Sequence, residues 1–230
     1  MTQMNRRMIL GGAAAVGVIG GAVVAWQMGL IPGGALSSAS GLAAGGSNVD
    51  LSGVNKPHPL GEKVLGSADA PVTIIEYASA TCPHCADFHR LTLPAIKKEY
   101  VDTGKVKFIF REFPFDDLAL AAFMITRCAS PEQYFPLMDI LFEQQAQWAG
   151  AKDKKAALFA IAREAGFTEE SFNACLSNEA IAKGIIEGRD FAAKDLGIDS
   201  TPSFFINGKL VKGALPIADF RKEIDAALGA

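Results

Sequence analysis

Metal-binding residue types are scarce in this sequence, with four cysteines and three histidines in 230 residues. A structural zinc site takes two ligand pairs. Cys82-Pro83-His84-Cys85 supplies one, so a zinc half-site is the alternative reading of that motif. No second Cys-x2-Cys follows, and three histidines are few to replace it. Charge of one sign is equally thin. The 22 basic and 25 acidic residues leave a formal net charge of −3, and the one lysine-rich spot, Lys152, Lys154 and Lys155, is split by Asp153. That excludes the broad electrostatic footprint of a nucleic-acid binder. There is no internal repeat.

What is present is concentrated around one stretch. Val72 to Tyr77 is a run of β-branched and apolar residues, the pattern of a strand buried on both faces. Small residues, Ala78 to Thr81, make a turn. Then comes the cysteine motif, followed by a helix-like pattern with Phe88, Leu91 and Ile96 on one side. Pro83 fits the first helical position, where its missing N–H costs nothing. Cys82 then stands at the helix N-terminus, facing unpaired N–H groups and the positive end of the helix dipole. Both favour a thiolate, so its pKa is expected well below the free value of about 8.5. Cys85 lies one turn deeper, within disulfide reach. Cys82 is therefore the expected nucleophile and Cys85 the resolving thiol. His84, between them, is placed to donate to the thiolate or set positive charge beside it.

The motif and its surroundings resemble the DsbA-type thiol–disulfide oxidoreductases, which have a thioredoxin fold. Glu76 stands where that family carries a buried acidic residue under the active site. Thr201-Pro202, followed by Ser-Phe-Phe-Ile-Asn-Gly-Lys, is similar to the family's cis-proline loop and the strand after it. The resemblance covers residues from Pro71 to the C-terminus. It implies a strongly oxidising cysteine pair and a cis Thr201–Pro202 bond beside it, with the Thr201 backbone ready to pair with an extended substrate. It also implies a membrane quinone-linked thiol oxidase as the partner that reoxidises the pair. A lone buried carboxylate is costly, so Glu76 is expected to be near-neutral, water-linked or engaged in proton transfer to Cys85.

The order of elements along the chain predicts an α/β protein, a thioredoxin-like fold with an inserted helical subdomain. Residues 1–44 are an export signal or membrane anchor plus flexible linker, and 45–70 a lead-in. Residues 71–115 form the first thioredoxin-like part, 116–197 the helical insertion and 198–230 the second part. The active-site helix is expected over Cys82 to Tyr100, kinked at Pro94. Val106, Phe108 and Phe110 alternate as a strand. Leu118 to Ile125 is apolar nearly all round and predicts a deeply buried helix. Asn207-Gly208 marks a two-residue hairpin. His58 is read as a surface residue. His89 is read as facing solvent or packing at the domain junction. Pro32 to Gly53 is rich in Gly, Ala and Ser and reads as a flexible linker.

Arg6-Arg7 followed by an uncharged apolar stretch, residues 8–30, reads as a secretory signal or an uncleaved anchor, and the start loosely resembles a twin-arginine signal. Export implies an oxidising compartment, the periplasm, where the two remaining cysteines, Cys128 and Cys175, most often pair. Two separate buried thiols are the alternative. No metal or cofactor is expected. The leading functional expectation is a periplasmic dithiol oxidase that passes its Cys82–Cys85 disulfide to reduced exported polypeptides. The rivals are an exported reductase or isomerase on the same scaffold and a chaperone-like module that binds polypeptides without turnover.

Overall fold

A computed structural model describes residues 51–229. The expectations for the signal, the anchor and most of the linker fall outside these residues. Among the described residues, no helix is long and apolar enough to cross a membrane.

Five strands form one mixed sheet: β1 (Lys63–Leu65), β2 (Val72–Ala78), β3 (Val106–Glu112), β4 (Ser203–Ile206) and β5 (Lys209–Lys212), in the order β1-β3-β2-β4-β5. β2 and β3 are parallel, in register from Val72 opposite Val106 to Ala78 opposite Glu112, and the other pairings are antiparallel. β2 has a partner on each edge and cover on each face, which is why it reads as a nearly unbroken apolar run. The β4–β5 hairpin turns on Asn207 and Gly208, both with positive φ, 43° and 86°. Only a residue pair tolerant of that backbone makes so tight a reversal. Asn207 Oδ1 also accepts from the Thr73 N–H at 2.8 Å, tying the turn to β2.

β2 leads into one continuous helical run: α1 (Pro83–Asp87), a π turn at Phe88–Thr92, α2 (Leu93–Ile96) and a second π turn at Lys97–Val101. The expected kink at Pro94 is instead taken up by the wide turn before it. Pro94 falls in the first turn of α2, where the missing donor is tolerated. The extra residue of a π turn also rotates the buried stripe. Leu91, read as facing inward with Phe88 and Ile96, is 72% exposed, while both of those are fully buried.

Between β3 and β4 come six α-helices: α3 (Asp117–Cys128), α4 (Tyr134–Glu143), α5 (Gln145–Ala149), α6 (Lys154–Glu164), α7 (Glu169–Leu176) and α8 (Glu179–Asp195). Side chains cap four of them. Asp116, Asp153, Thr168 and Asn178 accept from the backbone N–H three residues on, and Ser171 closes a capping box with Thr168. Ala119 to Thr126 of α3 are all buried, as an all-apolar helix requires. Cys128 at the end of α3 is joined to Cys175 near the end of α7, with a Cα–Cα distance of 6.1 Å across a sequence separation of 47. α9 (Ile217–Leu228) closes the chain.

On one face of the sheet, Ile75, Tyr77, Ile109 and Phe205 pack against Ala192, Leu196 and Ile198 from α8 and the turn after it, together with Val54 from the lead-in. On the other face, Phe88, Phe204 and Phe220 meet with ring centroids 4.6 to 5.2 Å apart, joining the active-site helix, β4 and α9.

One expectation for the lead-in is corrected. His58 is 6% exposed, not a surface residue. Its Nδ1 accepts from the Leu60 N–H at 3.1 Å, and its Nε2 lies 3.6 Å from Glu112 Oε2. Its ring rests on Gly188 of α8, where a Cβ would come within 2.3 Å of Nε2. The lead-in is held in place from Val54 on, which is 3% exposed. The reason is the demand of two nearly buried arginines. Arg111 donates to the carbonyls of Val54 and Lys56, and Arg127 to those of Leu60 and Gly61. Buried cations require such acceptors.

Candidate active site

Cys82 is the N-cap of α1, with extended backbone (φ −79°, ψ 119°), and Pro83 begins the helix. Its thiol is pulled down to about 5. The main cause is a hydrogen bond from the Cys85 thiol. Burial opposes it, and further donation comes from Thr201 and from the backbone N–H groups of Cys85 and His84. As a thiol, Cys82 donates to the Thr201 carbonyl at 3.4 Å. As a thiolate it becomes an acceptor, and the Thr201 hydroxyl, buried and otherwise without a partner, can turn its proton toward the sulfur.

Cys85 is the opposite case. It is fully buried, and its thiol is pushed well above the ordinary range, first by burial, then by its hydrogen bond to Cys82 and by the negative charge of Glu76. Both cysteines are free in this structure. The pair is thus polarised, with one proton held on Cys85 and the negative charge on Cys82. A sulfur in the state of Cys82 is both a nucleophile and a stable leaving group.

His84 and Pro83 are exposed. The contribution of His84 to the Cys82 sulfur comes through its backbone N–H. The Thr201–Pro202 bond is cis, and Thr201 and Pro202 are both buried beside the cysteines.

Glu76 lies on β2 with its side chain fully buried, between Phe110 of β3 and Phe204 of β4 in the sheet register. It is not alone. Its Oε2 is 2.9 Å from Nε2 of His89, whose side chain is 3% exposed. The expectation that His89 faces solvent or a domain junction is corrected. It sits in the π turn, which brings it inward to stack on Phe142 of α4 at a centroid distance of 4.0 Å. Glu76 Oε1 and His89 Nδ1 are buried without partners.

Two further contacts escaped the sequence reading. Gln145, at the start of α5, donates both protons of its amide, to the Ala80 carbonyl at 2.8 Å and the Cys82 carbonyl at 2.9 Å. It is one of three glutamines at 144–147, and nothing in the local pattern singles it out. Asp116 accepts from the Thr81 hydroxyl at 2.7 Å while its other oxygen caps α3. Neither the cap nor the bond to the active-site turn was read from the sequence. Among the described residues no cluster of histidine, cysteine and acidic side chains could hold a metal ion.

Comparison with known proteins places this geometry. The thioredoxin family pattern matches residues 60–226. A Rickettsia bellii protein named for protein-disulfide oxidoreductase activity is 36% identical over 148 residues, 64% of this chain and 57% of the relative. The chain therefore spans less than two thirds of the length of that relative. Disulfide bond formation protein D of Bacillus subtilis is 27% identical over 179 residues, covering 75% of this chain and 80% of the relative. The crystal structure of alpha-DsbA1 from Wolbachia pipientis superposes with a TM-score of 0.69 at 35% identity, over 73% of this chain and 91% of that one. With its thioredoxin sheet, helical insertion and polarised cysteine pair, the chain belongs to the thioredoxin family and, within it, to the DsbA-type thiol–disulfide oxidoreductases.

Proposed function

We propose that the protein is an exported dithiol oxidase that donates a Cys82–Cys85 disulfide to reduced polypeptides as they fold. The observation that carries this reading is the opposed displacement of the two thiols, Cys82 down to about 5 and Cys85 well up. Thiol–disulfide exchange favours the side with the more stable thiolate. At neutral pH the reduced pair keeps a stabilised anion on Cys82, so the pair tends to give its disulfide away.

The exchange proceeds in two displacements. A substrate thiolate attacks the Cys82 sulfur. The S–S bond breaks, a mixed disulfide forms, and the electron pair goes to Cys85, which takes up a proton because burial disfavours its anion. A second substrate thiolate then attacks the substrate's own sulfur in the mixed disulfide, closing a substrate disulfide and releasing the Cys82 thiolate. The Thr201 backbone beside the cis bond offers an edge for an extended substrate. Oxidation of the reduced pair falls to a membrane quinone-linked thiol oxidase, the partner that family resemblance implies. The periplasm is the proposed location, resting on the apolar segment at 8–30.

The deciding measurement is the reduction potential of the Cys82–Cys85 pair equilibrated with glutathione. An oxidase requires a value above roughly −200 mV, and a value near −270 mV would make the protein a reductant.

A further inference from the structure

The geometry points to His89 as a positioning residue for proton transfer at Cys85. By holding one oxygen of Glu76, it leaves the other bare as the base and acid that serves the buried thiol. The inference rests on the reading of Cys82–Cys85 as a working dithiol, although not on its direction.

Three observations meet here. Cys85 is fully buried, so no solvent base reaches its proton, yet every cycle must move that proton on and off the sulfur. Glu76 is the carboxylate whose charge reaches Cys85. Of its two oxygens, Oε2 is engaged by His89 Nε2 at 2.9 Å, and Oε1 is buried with no partner. A buried carboxylate oxygen left open in this way is costly unless something transient fills it. A proton from Cys85 is such an occupant.

Aromatic rings hold His89 in place against Glu76. Its ring lies flat on Phe142 of α4, and Phe110 of β3 and Phe88 meet it edge-on at 5.8 and 5.6 Å. These apolar walls leave only the two nitrogens for polar contact. Nε2 faces Glu76 on β2. Nδ1 is buried without a partner. From α4, Asp139 is coupled to the ring electrostatically, and Lys97 and Glu143 act in turn on Asp139. With its proton on Nε2, the ring donates to Glu76 Oε2 and holds the carboxylate in one orientation.

The step balances within the chain when the enzyme is reoxidised. With Cys82 in a mixed disulfide, the Cys85 S–H proton passes to Glu76 Oε1. The Cys85 thiolate attacks the Cys82 sulfur, and the partner sulfur leaves as a thiolate with the bonding pair. The proton stays on Glu76, and in the opposite direction it returns to Cys85.

The test isolates that step. Cys82 is loaded with 5-thio-2-nitrobenzoate as a mixed disulfide, and its coloured release by Cys85 is followed by stopped flow across pH. His89→Leu, which removes the donor to Oε2, is expected to slow release roughly tenfold, less than the hundredfold or more that loss of the proton-transfer group itself costs. His89→Gln, which keeps a donor for Oε2, is expected to recover most of the rate. Cys82 thiolate absorbance should titrate as in wild type. Release from His89→Leu at the wild-type rate, or equally slow release from both variants, overturns the inference. If His89→Leu does not fold, nitrogen-15 imidazole spectra of wild type decide. A proton on Nε2 supports the inference, and a proton on Nδ1 alone, which leaves no donor for Oε2, overturns it. A reducing potential or failure to oxidise polypeptides would sink the proposed function while leaving this result standing.

Discussion

A thiolate at the start of a helix is stabilised by donors arriving from several directions, and at Cys82 they are unequal. The Cys85 thiol contributes most, while the helix-start N–H groups of Cys85 and His84 contribute less. Removing Cys85 therefore does more than remove the resolving thiol. In the reduced protein, Cys82 should titrate near 5, and in Cys85→Ala its titration should move up toward the ordinary cysteine range without reaching it. Thiolate absorbance against pH reads both. An ordinary titration in wild type would deny the site its polarity, and identical curves would give the whole effect to the backbone. The sign of the linked stability follows. The folded pKa lies below the unfolded value, so the reduced protein gains stability above the unfolded pKa and loses it as pH falls through about 5. At pH 7 the gain is about 3 kcal/mol, which makes a two-electron couple about 60 mV more oxidising.

Gln145 belongs to the same scale. Its amide reaches two carbonyls of the active-site turn at once, and Cys82 is one of them. Replacing it by leucine leaves the Ala80 carbonyl, buried, without that donor. A loss of about 1–3 kcal/mol in denaturant unfolding is expected, with a shifted reduction potential because the Cys82 peptide is no longer held. A variant as stable as wild type, with the same potential, would reduce Gln145 to a passive contact.

Elements were legible from the sequence wherever a short-range physical rule governs them. The alternation in β3 and the Asn207-Gly208 turn both follow from neighbours in the chain. The cysteine pair was legible for the same reason, since Pro83 and a preceding strand fix where Cys82 stands. What escaped was set by distant partners. A π turn adds one residue to a helical repeat, and no local pattern announces it, so Leu91 and His89 exchanged their expected faces. Gln145 and Glu112 acquire their roles from residues far along the chain.

The bond between α3 and α7 illustrates stabilisation at the scale of elements. It closes a sequence separation of 47, for which the chain-entropy account gives about 4 kcal/mol. α3 is the most completely buried helix of the insertion and α7 lies against it, so the tie clamps the insertion rather than the catalytic turn. Replacing both Cys128 and Cys175 by alanine should lower the melting temperature by several degrees or more and leave dithiol oxidation within about twofold of wild type. Unchanged melting would show that packing alone holds the two helices.

At the scale of the whole molecule, a buried ionic group joins the lead-in, the sheet and the insertion. Glu112, at the end of β3, is fully buried. It accepts from Arg127 of α3 at 2.5 and 2.7 Å and from the Tyr134 hydroxyl of α4 at 2.8 Å. The Arg127 charge holds its carboxyl below the usual range against the opposing effect of burial. His58 of the lead-in packs against this group, and burial, the largest influence, lowers its imidazole. Both shifts act in the same direction. Below about 6.5 the unfolded chain protonates His58 more readily than the folded one, and below about 4.5 the same becomes true of Glu112. Stability should therefore fall in two stages as pH drops. The oxidised protein is the form to measure, because its disulfide removes the Cys82 titration from the same window. Urea midpoints between pH 8 and 4 should show a decline beginning near pH 6.5, and His58→Gln should flatten that first stage while leaving the second. Equal slopes in both proteins between pH 6.5 and 4.5 would place the acid sensitivity elsewhere. Arg127→Met, which leaves Glu112 buried without its cation, should cost about 3–5 kcal/mol at neutral pH. That loss should shrink as acid neutralises the carboxylate, which no simple packing defect would do.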